Sequence, residues 1–503
     1  MKFIESVEQW NIFEIELQAS HTFNNPFKDV NLYGEFWNGK ESKQMRGFHD
    51  GGSTWKLRFM PESQGEYRFR LYSDYGNFEG LEGSFVVAAP SPGNHGPIQV
   101  TGTHFSYADG NPFFVMGTTA YAWTYLPEEN RLRTLDSFQK YGFNKIRMLV
   151  FPKYMRGRGE NKEFEISYEP SVFPFEGEPN SFDFQRFCPG YFQNLEDRIM
   201  DLLKLGIEAD VILFHPYDCW GIDAGMQQDD QLLYINYLIA RLSAYRNVWW
   251  SLANEFDVDK TPEGKTCVRM DRKDWDLFGA TIKANDPHSH LISIHNIPFG
   301  FIYPNRDWMT HVSYQHPDTY TLALELKNRY KKPIVNDEYQ YEGNIKEEWG
   351  NNDSETTVFR HWLSVMAGSY ATHGEVIQLN DNEQDLFWAY GGTLIGKSAP
   401  RLKFMKQILE TCQFQYMERD PLNTEGHHYF TLHRDMKEYL IFCRYDLPGK
   451  GLWCGPFDGT ELEYEAITYD AWNCKEMGRE NVTNTRSLPI KAWTVYHLKY
   501  VGQ

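Results

Sequence analysis

Two glutamates stand at the ends of short apolar runs and could act together on one substrate. Glu255 closes the run in NVWWSLANEFD, and Glu338 closes the run in KKPIVNDEYQ. Continuous apolar runs of this length are typical of strands buried on both faces. A carboxylic acid at the last residue of such a strand stands at the rim of whatever the strands enclose. Two such groups facing one sugar can cleave a glycosidic bond, because one protonates the leaving oxygen while the other attacks the anomeric carbon.

This chemistry requires the two glutamates to be in opposite protonation states. We expect Glu255 to be protonated, because apolar neighbours and a second carboxylate raise the pKa of a carboxyl group. Asn254 precedes it and could donate to a sugar 2-hydroxyl. Glu338 must be ionised to act as the nucleophile, and a retaining reaction requires the two carboxyl groups to lie roughly 5 to 5.5 Å apart. Asp337 should point the opposite way and have a structural role, since side chains alternate along a strand.

Strand and helix signals alternate from residue 98 to residue 412, which predicts the scaffold that brings these side chains together. The strand candidates are PFFVMG, NKIRMLV, IEADVILF, NVWWSLAN, HLISIHN, THVSYQH, KPIVNDE and GEVIQLN. Helical stretches with apolar residues at three- and four-residue spacing follow most of them. Eight such units predict an α/β fold, a (β/α)8 TIM barrel with catalytic groups at the carboxyl ends of its strands. The fifth unit lacks a helical signal; a doubly wound open sheet is the alternative, although no glycine-rich loop follows the first strand.

The barrel region is flanked in the sequence by short alternating strands. Residues 1–90 contain NIFEIELQAS, STWKLRFMPE and GEYRFRLYSD, which predict an N-terminal immunoglobulin-like β-sandwich. The stretch at 88–100 is rich in Pro and Gly and is a natural linker. Residues 413–503 contain EYLIFCRYD and AWTVYHLKY among other short strands, and we expect a smaller C-terminal β-sandwich there.

Further polar and aromatic residues follow the predicted strands at the same end of the barrel. Arg147 on strand two is unfavourable inside a barrel unless it is paired; Glu338 is the obvious partner, and an ion pair elsewhere in the barrel is the alternative. Tyr314 on strand six could donate its hydroxyl to Glu338, or could fill the barrel as an aromatic residue. The other candidates for contacting a sugar are His215, Asp218 and Trp220 after strand three, His295 after strand five, and Trp123 and Trp388 after strands one and eight.

Composition narrows the classes of partner. The net charge of −19 and the pI near 5.3 disfavour binding of nucleic acid or of an anionic membrane. The sequence has no stretch of about 18 apolar residues, so we expect no membrane span.

Aromatic residues make up 16% of the chain, and their rings stack on the apolar faces of sugars. Seven cysteines without close pairing and an N-terminus lacking a signal-type apolar core indicate a cytoplasmic protein. Oligosaccharides or glycosides are the expected substrates, and a homo-oligomer is compatible with this composition.

The positions of the histidines disfavour metal-dependent hydrolysis. A catalytic zinc in a barrel hydrolase needs paired histidines at the end of strand one and more on later strands. Strand one ends in GTTAYAW, without a histidine, and the HSH at 288–290 precedes strand five at the other end of the barrel. The sequence also lacks nucleotide- and dinucleotide-binding motifs, so we expect neither a metal nor a cofactor.

The segments around these residues resemble a known group of enzymes. NVWWSLANEFD with a strand-seven glutamate is similar to clan A of the retaining glycoside hydrolases, and HPYDCWG, SIHN, NDEYQYEGN and ATHGE are similar to its apiosidase-like branch. That resemblance implies a barrel with a β-sandwich at each terminus. It also implies Glu255 as acid/base and Glu338 as nucleophile, supported by Asn254 and Arg147. The loop after strand eight departs from these relatives at Tyr390 and Lys397, so roles in that loop do not transfer.

The sequence thus predicts a retaining glycoside hydrolase that cleaves short oligosaccharides or glycosides by double displacement. Exo action is favoured if the pocket is blocked at one end. An endo-acting glucanase- or mannanase-like hydrolase would share the chemistry and differ in having an open cleft. A barrel that binds carbohydrate without catalysis is the third hypothesis, and the presence of both glutamates and their arginine argues against it.

Overall fold

The computed structural model describes residues 1–156, 165–167, 170–258, 270–379, 386–420, 428–454 and 462–502. Within these ranges a parallel eight-stranded sheet forms the central part of the chain, and largely antiparallel sheets precede and follow it. This arrangement confirms the predicted TIM-barrel fold class. None of the helices in these ranges is long and apolar enough to cross a membrane.

Eight parallel strands line the barrel and end at a common face. They are β1 (Gly117–Thr119), β2 (Lys145–Leu149), β3 (Glu208–Phe214), β4 (Val248–Ala253), β5 (Ile292–Ser293), β6 (Val312–Gln315), β7 (Ile334–Glu338) and β8 (Tyr370–His373). They pair in the order β5-β4-β3-β2-β1-β8-β7-β6. Strands β5 and β6 approach each other through Thr310, which donates its N–H to the Ile292 carbonyl (3.0 Å) and accepts the Ile292 N–H on Oγ1 (2.8 Å).

Helices connect most of the barrel strands and cover their outer faces. The α-helices of the described part are α1 (Glu128–Tyr141), α2 (Pro189–Lys204), α3 (Ile222–Gly225), α4 (Gln228–Leu242), α5 (Trp275–Asn285), α6 (Thr321–Tyr330), α7 (Ser354–Met366), α8 (Phe387–Tyr390) and α9 (Ser398–Thr411). Helix α2 buries Leu195, Ile199 and Leu202, whose spacing places them on one face towards the barrel. Residues 294–311, between β5 and β6, form a loop, as the missing helical signal predicted.

Short strands close the amino end of the barrel and extend its loops. Strands Ile98–Thr101, His104–Tyr107 and Pro112–Phe113 form a small antiparallel sheet before β1. Its Phe105 packs against Trp249 at the start of β4 and Tyr370 at the start of β8, with ring centroids 5.1 and 5.3 Å apart. Further pairs are Tyr154–Arg156 with Glu165–Ser167, Phe175–Glu178 with Ser181–Phe187, and Glu342–Gly343 with Glu375–Val376.

A layer of buried charge crosses the barrel interior. Lys145 on β2 forms ion pairs with Asp210 on β3 (2.7 Å) and Asp337 on β7 (2.8 Å). The hydroxyls of Ser313 and Thr372 also donate to Asp337, each at 2.6 Å. Burial opposes ionisation of Asp337, but the Lys145 ammonium holds the pKa of this carboxyl well below its usual range. Removing one partner of such a group would leave an uncompensated buried charge, so the layer fixes the relative positions of strands β2, β3, β6, β7 and β8.

The end of β7 departs from simple strand alternation. The register between β6 and β7 shifts by one residue there, so that Asp337 has no partner in the ladder. Asp337 binds Lys145 and Glu338 binds Arg147, and these two partners lie two residues apart on the same face of β2. Asp337 and Glu338 therefore both face the barrel interior, which corrects the expectation that they point opposite ways. An irregularity of this kind re-aims a side chain next to a functional site.

The N-terminal region forms two sheets packed face to face. One contains Lys2–Phe3, Phe13–Gln18, Phe48–Gly51 and Thr54–Phe59; the other contains Ser6–Glu8, Leu32–Trp37, Ser42–Arg46, Gly65–Ser73 and Glu82–Ala88. Inward-facing phenylalanines of the two sheets stack on each other, with ring centroids 3.7 Å apart for Phe13 and Phe85 and 4.5 Å apart for Phe36 and Phe59. This aromatic core is the inner layer of a β-sandwich.

The described part of the C-terminal region forms one six-stranded antiparallel sheet. Its strands are Glu418–Arg419, Tyr429–Arg434, Glu438–Cys443, Tyr464–Asp470, Lys475–Val482 and Thr494–Tyr500. One face packs on the barrel helix α7, where Phe442 stacks on Trp362 with ring centroids 4.9 Å apart. Loop residues Leu452, Leu488 and Ile490 cover the other face. Within the described residues this loop layer stands where the predicted sandwich would have its second sheet.

A buried ion network joins the N-terminal sandwich to the barrel helices. Arg58 of the sandwich binds Glu196 on α2 (2.8 Å), and Arg241 on α4 binds the same carboxylate (2.5 Å) and Asp50 of the sandwich (2.7 Å). Burial opposes ionisation of Glu196, but the two guanidinium groups lower the pKa of this carboxyl. Its charge therefore stabilises the folded state above the unfolded carboxyl pKa, and that contribution is lost as the pH falls.

We expect Glu196→Gln to lower the free energy of unfolding by about 3–5 kcal/mol, because it leaves two buried guanidinium groups short of a counter-charge. The matched control is Glu82→Gln, which removes a carboxylate paired with Arg70 on the exposed surface of the sandwich. That variant should change the free energy by less than about 1 kcal/mol. Denaturant unfolding of both variants is the measurement; equal effects would contradict the docking role of Glu196.

Candidate active site

A cavity of about 240 Å³ opens among the carboxyl ends of the barrel strands. Both glutamates that were singled out in the sequence lie in its wall. The lining residues are Tyr217, Glu255, Pro298, Phe299, Gln315, Pro317, Glu338, Gln340, Tyr341, Glu348, Trp349 and Trp388. The carboxyl ends of the strands are where the (β/α)8 fold places its catalytic groups. The cavity is therefore the candidate active site.

Glu255 stands two residues beyond β4 in a strained backbone conformation. Its φ is +54°, in the left-handed region that residues other than glycine rarely adopt. The hydroxyl of Tyr217 donates to its carboxyl group. Burial, reinforced by the negative charge of Glu338, raises the pKa of Glu255 to about 7. Glu255 is thus suited to hold a proton near neutral pH and to release it during a reaction.

Glu338, the last residue of β7, is surrounded by donors. Arg147 on β2 places Nη1 3.3 Å from its Oε1, and the Tyr121 hydroxyl donates to the same oxygen. Arg147 also donates from Nη2 to Oδ1 of Asn254 at 3.1 Å. One buried guanidinium therefore fixes Glu338 and the amide beside Glu255 in a single arrangement. Arg147 and Tyr121 thus hold the same oxygen of Glu338 in place.

A lysine ammonium lies in an aromatic cage between the two glutamates. Nζ of Lys153 is 4.4, 4.3 and 4.2 Å from the ring centroids of Tyr121, Tyr217 and Trp388. These distances allow cation–π attraction to all three rings. The side chain is only 1% exposed. Burial lowers the pKa of Lys153 to about 8, while the two nearby glutamates oppose this shift. The ammonium holds in place the two tyrosines that contact the glutamates.

Aromatic rings from the loops after β7 and β8 form the wall beside Glu338. The ring centroids of Trp349 and Trp388 are 4.9 Å apart, and Tyr341 lies 5.9 and 6.2 Å from them. Trp388, which was predicted as a stacking platform, lines the cavity. Tyr390 is buried in the same cluster, whereas the Lys397 side chain is exposed and its backbone N–H binds Glu342.

Three residues expected at the site lie away from this cavity. Tyr314 turns outwards from β6 into an apolar cluster with Leu326 of α6, so the expected hydroxyl donation to Glu338 comes from Tyr121 instead. Trp123 is fully buried and packs edge-on against Phe138 of α1 rather than forming a platform. His295 is buried in the barrel interior, where burial and the charge of Arg147 lower its pKa well below the usual range. These corrections follow from side-chain direction rather than from position along the chain.

The residues predicted after β3 hold the loop that carries Tyr217, and they do not line the cavity themselves. Nδ1 of His215 accepts the backbone N–H of Tyr217 (3.1 Å), and its Nε2 lies 3.2 Å from the Phe151 carbonyl, so both nitrogens are engaged by backbone. Asp218 accepts the backbone N–H groups of Trp220 and Asp223, both at 2.9 Å, and shapes the loop before α4. Trp220 is buried against Phe173. The segment HPYDCWG therefore positions Tyr217 rather than lining the cavity with its own histidine.

Sequence reasoning missed three residues that define the site. Tyr121 lies two residues after β1, Lys153 four residues after β2, and Tyr217 three residues after β3. Their common signal is a polar residue shortly after a barrel strand, which is where active-site loops begin. That signal was present in GTTAYAW, in the FPK after strand two and in HPYDCWG. In the first and third of these segments the predicted residues were Trp123, His215, Asp218 and Trp220, and in the second no residue was predicted.

A second buried carboxylate cluster lies behind the β8 loop. In the described part of the chain, Glu342, His373 and Glu375 form a trio whose ligand atoms lie within 4.8 Å of one another. Their oxygens already accept four successive backbone N–H groups: those of residues 395 and 396 on Glu375 and those of 397 and 398 on Glu342, at 2.8–2.9 Å. Burial raises the pKa of Glu375 to about 7. The cluster thus anchors the loop that enters α9.

A family model described as "Apiosidase-like, catalytic domain" matches residues 100–415, more than half of the 503 residues. The chain belongs to the apiosidase-like family. A second model, a domain of unknown function (DUF5060), matches residues 6–74. No curated protein matches the chain.

Solved structures resemble this apiosidase-like protein over most of its length. A candidate glycoside hydrolase from Bacteroides vulgatus ATCC 8482 is 34% identical, with a TM-score of 0.87 over 99% of this chain and 100% of that chain. A family 5 glycoside hydrolase from the same organism is 16% identical, with a TM-score of 0.60 over 82% of this chain and 95% of that chain. The second likeness shows a shared fold. The family and the first relative support glycoside hydrolase function for the apiosidase-like chain.

We expect Lys153→Met to move the alkaline limb of the pH profile of kcat/KM to higher pH. The ammonium favours ionised Glu255, so its removal should raise the Glu255 pKa above its present value of about 7. The profile of kcat/KM on any hydrolysed glycoside reports this group in the free enzyme. Lys40→Met, at an exposed lysine of the sandwich, is the control and should leave the limb in place. If the alkaline limb of the Lys153 variant stays at the same pH or moves to lower pH, this role of Lys153 is contradicted.

Proposed function

We propose that this protein is a retaining glycosidase that hydrolyses O-glycosyl bonds of short oligosaccharides or glycosides. The observation that carries the proposal is the shared cavity of Glu255 and Glu338, in which the two glutamates have different partners. Glu255 has a raised pKa of about 7 in buried surroundings, whereas Glu338 contacts Arg147 and Tyr121. One acid that holds a proton beside one stabilised carboxylate is the pair that double displacement needs.

In the first step Glu255 would donate its proton to the glycosidic oxygen while an oxygen of Glu338 attacks the anomeric carbon. The glycosidic bond breaks, the leaving group departs as an alcohol, and the sugar is held as an ester on Glu338. Arg147 and Tyr121 keep the attacking oxygen oriented before the bond forms. The Asn254 carbonyl accepts from Arg147, which leaves its amide N–H₂ to donate to the sugar 2-hydroxyl.

In the second step Glu255 would act as a base. Esterification removes the negative charge of Glu338, which is, after burial, the largest cause of the raised Glu255 pKa. The Glu255 pKa therefore falls once the ester has formed, and the carboxylate takes a proton from water. The water oxygen attacks the anomeric carbon, the ester bond breaks, and the sugar leaves with the anomeric configuration of the substrate.

The dimensions of the cavity support exo action on short substrates. Its volume of about 240 Å³ lies below the range of roughly 300–1,000 Å³ that is typical of sites for drug-sized ligands. Trp349, Trp388 and Tyr341 form a continuous aromatic wall on the Glu338 side. A wall in this position would stop a polysaccharide chain from running past the nucleophile, and it offers ring faces to a single terminal sugar.

We expect Glu338→Ala to abolish turnover and a 2-deoxy-2-fluoro glycosyl fluoride to label Glu338 in the wild type, as read by peptide mass spectrometry. Glu255→Gln should slow hydrolysis of alkyl glycosides by about 100- to 10,000-fold but spare substrates whose leaving group departs without a proton. Glu355→Gln, at an exposed carboxylate in the first turn of α7, is the control with normal turnover.

A label on a residue other than Glu338 would refute the nucleophile assignment. Sugar binding by the wild type without any turnover, across a panel of aryl glycosides that includes arabinosides, apiosides, galactosides and glucosides, would support a carbohydrate-binding barrel instead. The panel also identifies the sugar, since the variants are then compared on the substrate that the wild type prefers.

A further inference from the structure

The lining of the cavity includes an aromatic ring that the proposed chemistry does not use. Phe299, in the loop after β5, lines the cavity and yet its side chain is 70% exposed. Its ring touches His316 edge-on, with ring centroids 4.9 Å apart, which leaves most of its surface open to solvent. A large ring that is open to solvent and lines a cavity is available to stack on a bound ligand.

The backbone holds this ring in place against its own preference. Phe299 has φ +57°, a conformation that is a clear outlier for a bulky residue. The loop around it is tied by one carboxylate: Asp257 accepts the backbone N–H of Ile297 at 2.7 Å and that of Phe301 at 2.8 Å. Strain that is maintained by specific contacts is characteristic of functional positions.

The tie connects Phe299 to the segment that carries the general acid. Asp257 lies two residues after Glu255, and the N–H of the intervening Phe256 donates to the His295 carbonyl at the start of the Phe299 loop (2.9 Å). The group that protonates a glycosidic oxygen must lie beside the leaving group. Phe299 is thus on the leaving-group side of the cleaved bond, while the tryptophan wall is on the Glu338 side.

Among the described residues, a polar atom without a hydrogen-bond partner lies in the lining of the same cavity. Gln315, at the end of β6, also lines the cavity, and among the described residues its buried Oε1 has no hydrogen-bond partner. Its backbone N–H is held by Asn296 Oδ1 at 3.2 Å, which fixes the base of the side chain. Buried polar atoms are nearly always hydrogen-bonded in folded proteins. A hydroxyl of a bound molecule would satisfy this oxygen.

We propose that Phe299 and Gln315 form a subsite for the leaving group, and that this group is a second sugar ring. The Phe299 face would stack on the apolar face of that ring, and Gln315 Oε1 would accept one of its hydroxyls. This inference rests on the proposed function, because it assigns the far side of the same cleavage site. An aryl leaving group could also stack on Phe299, but it has no sugar hydroxyl for Gln315 to accept. A second sugar and an aryl group can therefore be distinguished by the effect of Gln315.

The test compares three substrates with the same glycone: a disaccharide, a nitrophenyl glycoside and a glycosyl fluoride, whose leaving group has no ring. Phe299→Ala should lower kcat/KM on the disaccharide and the nitrophenyl glycoside by roughly tenfold and leave the fluoride unchanged. Gln315→Ala should affect the disaccharide alone. Phe301→Ala is the matched control, since this neighbour is 61% exposed in the same loop but does not line the cavity.

Two further variants separate recognition from folding. Phe299→Trp should restore most of the activity on the disaccharide, because it keeps an aromatic face. Phe299→Gly takes up the left-handed conformation without steric strain, so it should fold at least as stably as the wild type and still lose activity on both ring-bearing substrates.

Equal behaviour of the Phe299 and Phe301 variants on all three substrates would overturn the subsite while leaving the glycosidase proposal standing. A Gln315→Ala effect on the nitrophenyl glycoside equal to that on the disaccharide would overturn the second-sugar assignment. A wild type that hydrolyses none of the three, the fluoride included, would instead refute the proposed function itself, and the subsite with it.

Discussion

The site depends on the electrostatic coupling of two carboxyl groups enclosed in one cavity. Glu255 and Glu338 cannot both be ionised there without a cost in free energy, so the surroundings decide which of them carries the charge. Arg147 and Tyr121 contact Glu338, while Glu255 has a tyrosine hydroxyl and a raised pKa of about 7. The Lys153 ammonium lies against the rings of Tyr121 and Tyr217. Its positive charge opposes the rise in the Glu255 pKa. In the proposed reaction Glu255 first donates its proton while Glu338 is charged. Once Glu338 has become an ester and lost its charge, the Glu255 pKa falls and Glu255 acts as a base.

The rest of the fold holds these groups in register. The buried pairs of Lys145 with Asp210 and Asp337 join strands β2, β3 and β7 beneath the site, and the register shift at the end of β7 turns Glu338 towards Arg147. Outside the barrel, the sandwich is joined to α2 and α4 by Glu196 and its arginines. Each of these ion pairs is buried, and the free-energy cost of desolvating its charges offsets much of the attraction between them. Their main effect is therefore to fix the relative positions of the strands and helices that they join.

Sequence reasoning identified the barrel and the residues at the ends of its regular strands. The carboxyl ends of the buried parallel strands meet at one face of the barrel, so residues at or near those ends lie close together. This applies to Arg147, Asn254, Glu255 and Glu338. The assignment of Tyr314 failed, because the sequence of this strand does not show whether Ser313 or Tyr314 faces the barrel interior. Tyr121, Lys153 and Tyr217 were missed because loops set their positions through tertiary contacts such as the cation–π cage.

The same limits apply to the binding residues and the C-terminal region. His215, Asp218 and Trp220 are in the expected segment, but their polar atoms and rings are used to shape the loop that presents Tyr217. A histidine that is satisfied by backbone and one that is free for a ligand look alike in sequence. The C-terminal strands were likewise recognised from their alternation, whereas the loop layer over their sheet, with Leu452 and Leu488, has no periodic signal.

The anomeric configuration of the first product tests the central claim most directly. Proton NMR of a glycoside during the first minutes of hydrolysis, before the free sugar mutarotates, distinguishes the two outcomes. If Glu338 attacks the sugar and Glu255 activates the water, the product first appears with the configuration of the substrate. A product that first appears inverted would contradict the account, since it would require a single attack by water with both glutamates acting through proton transfer.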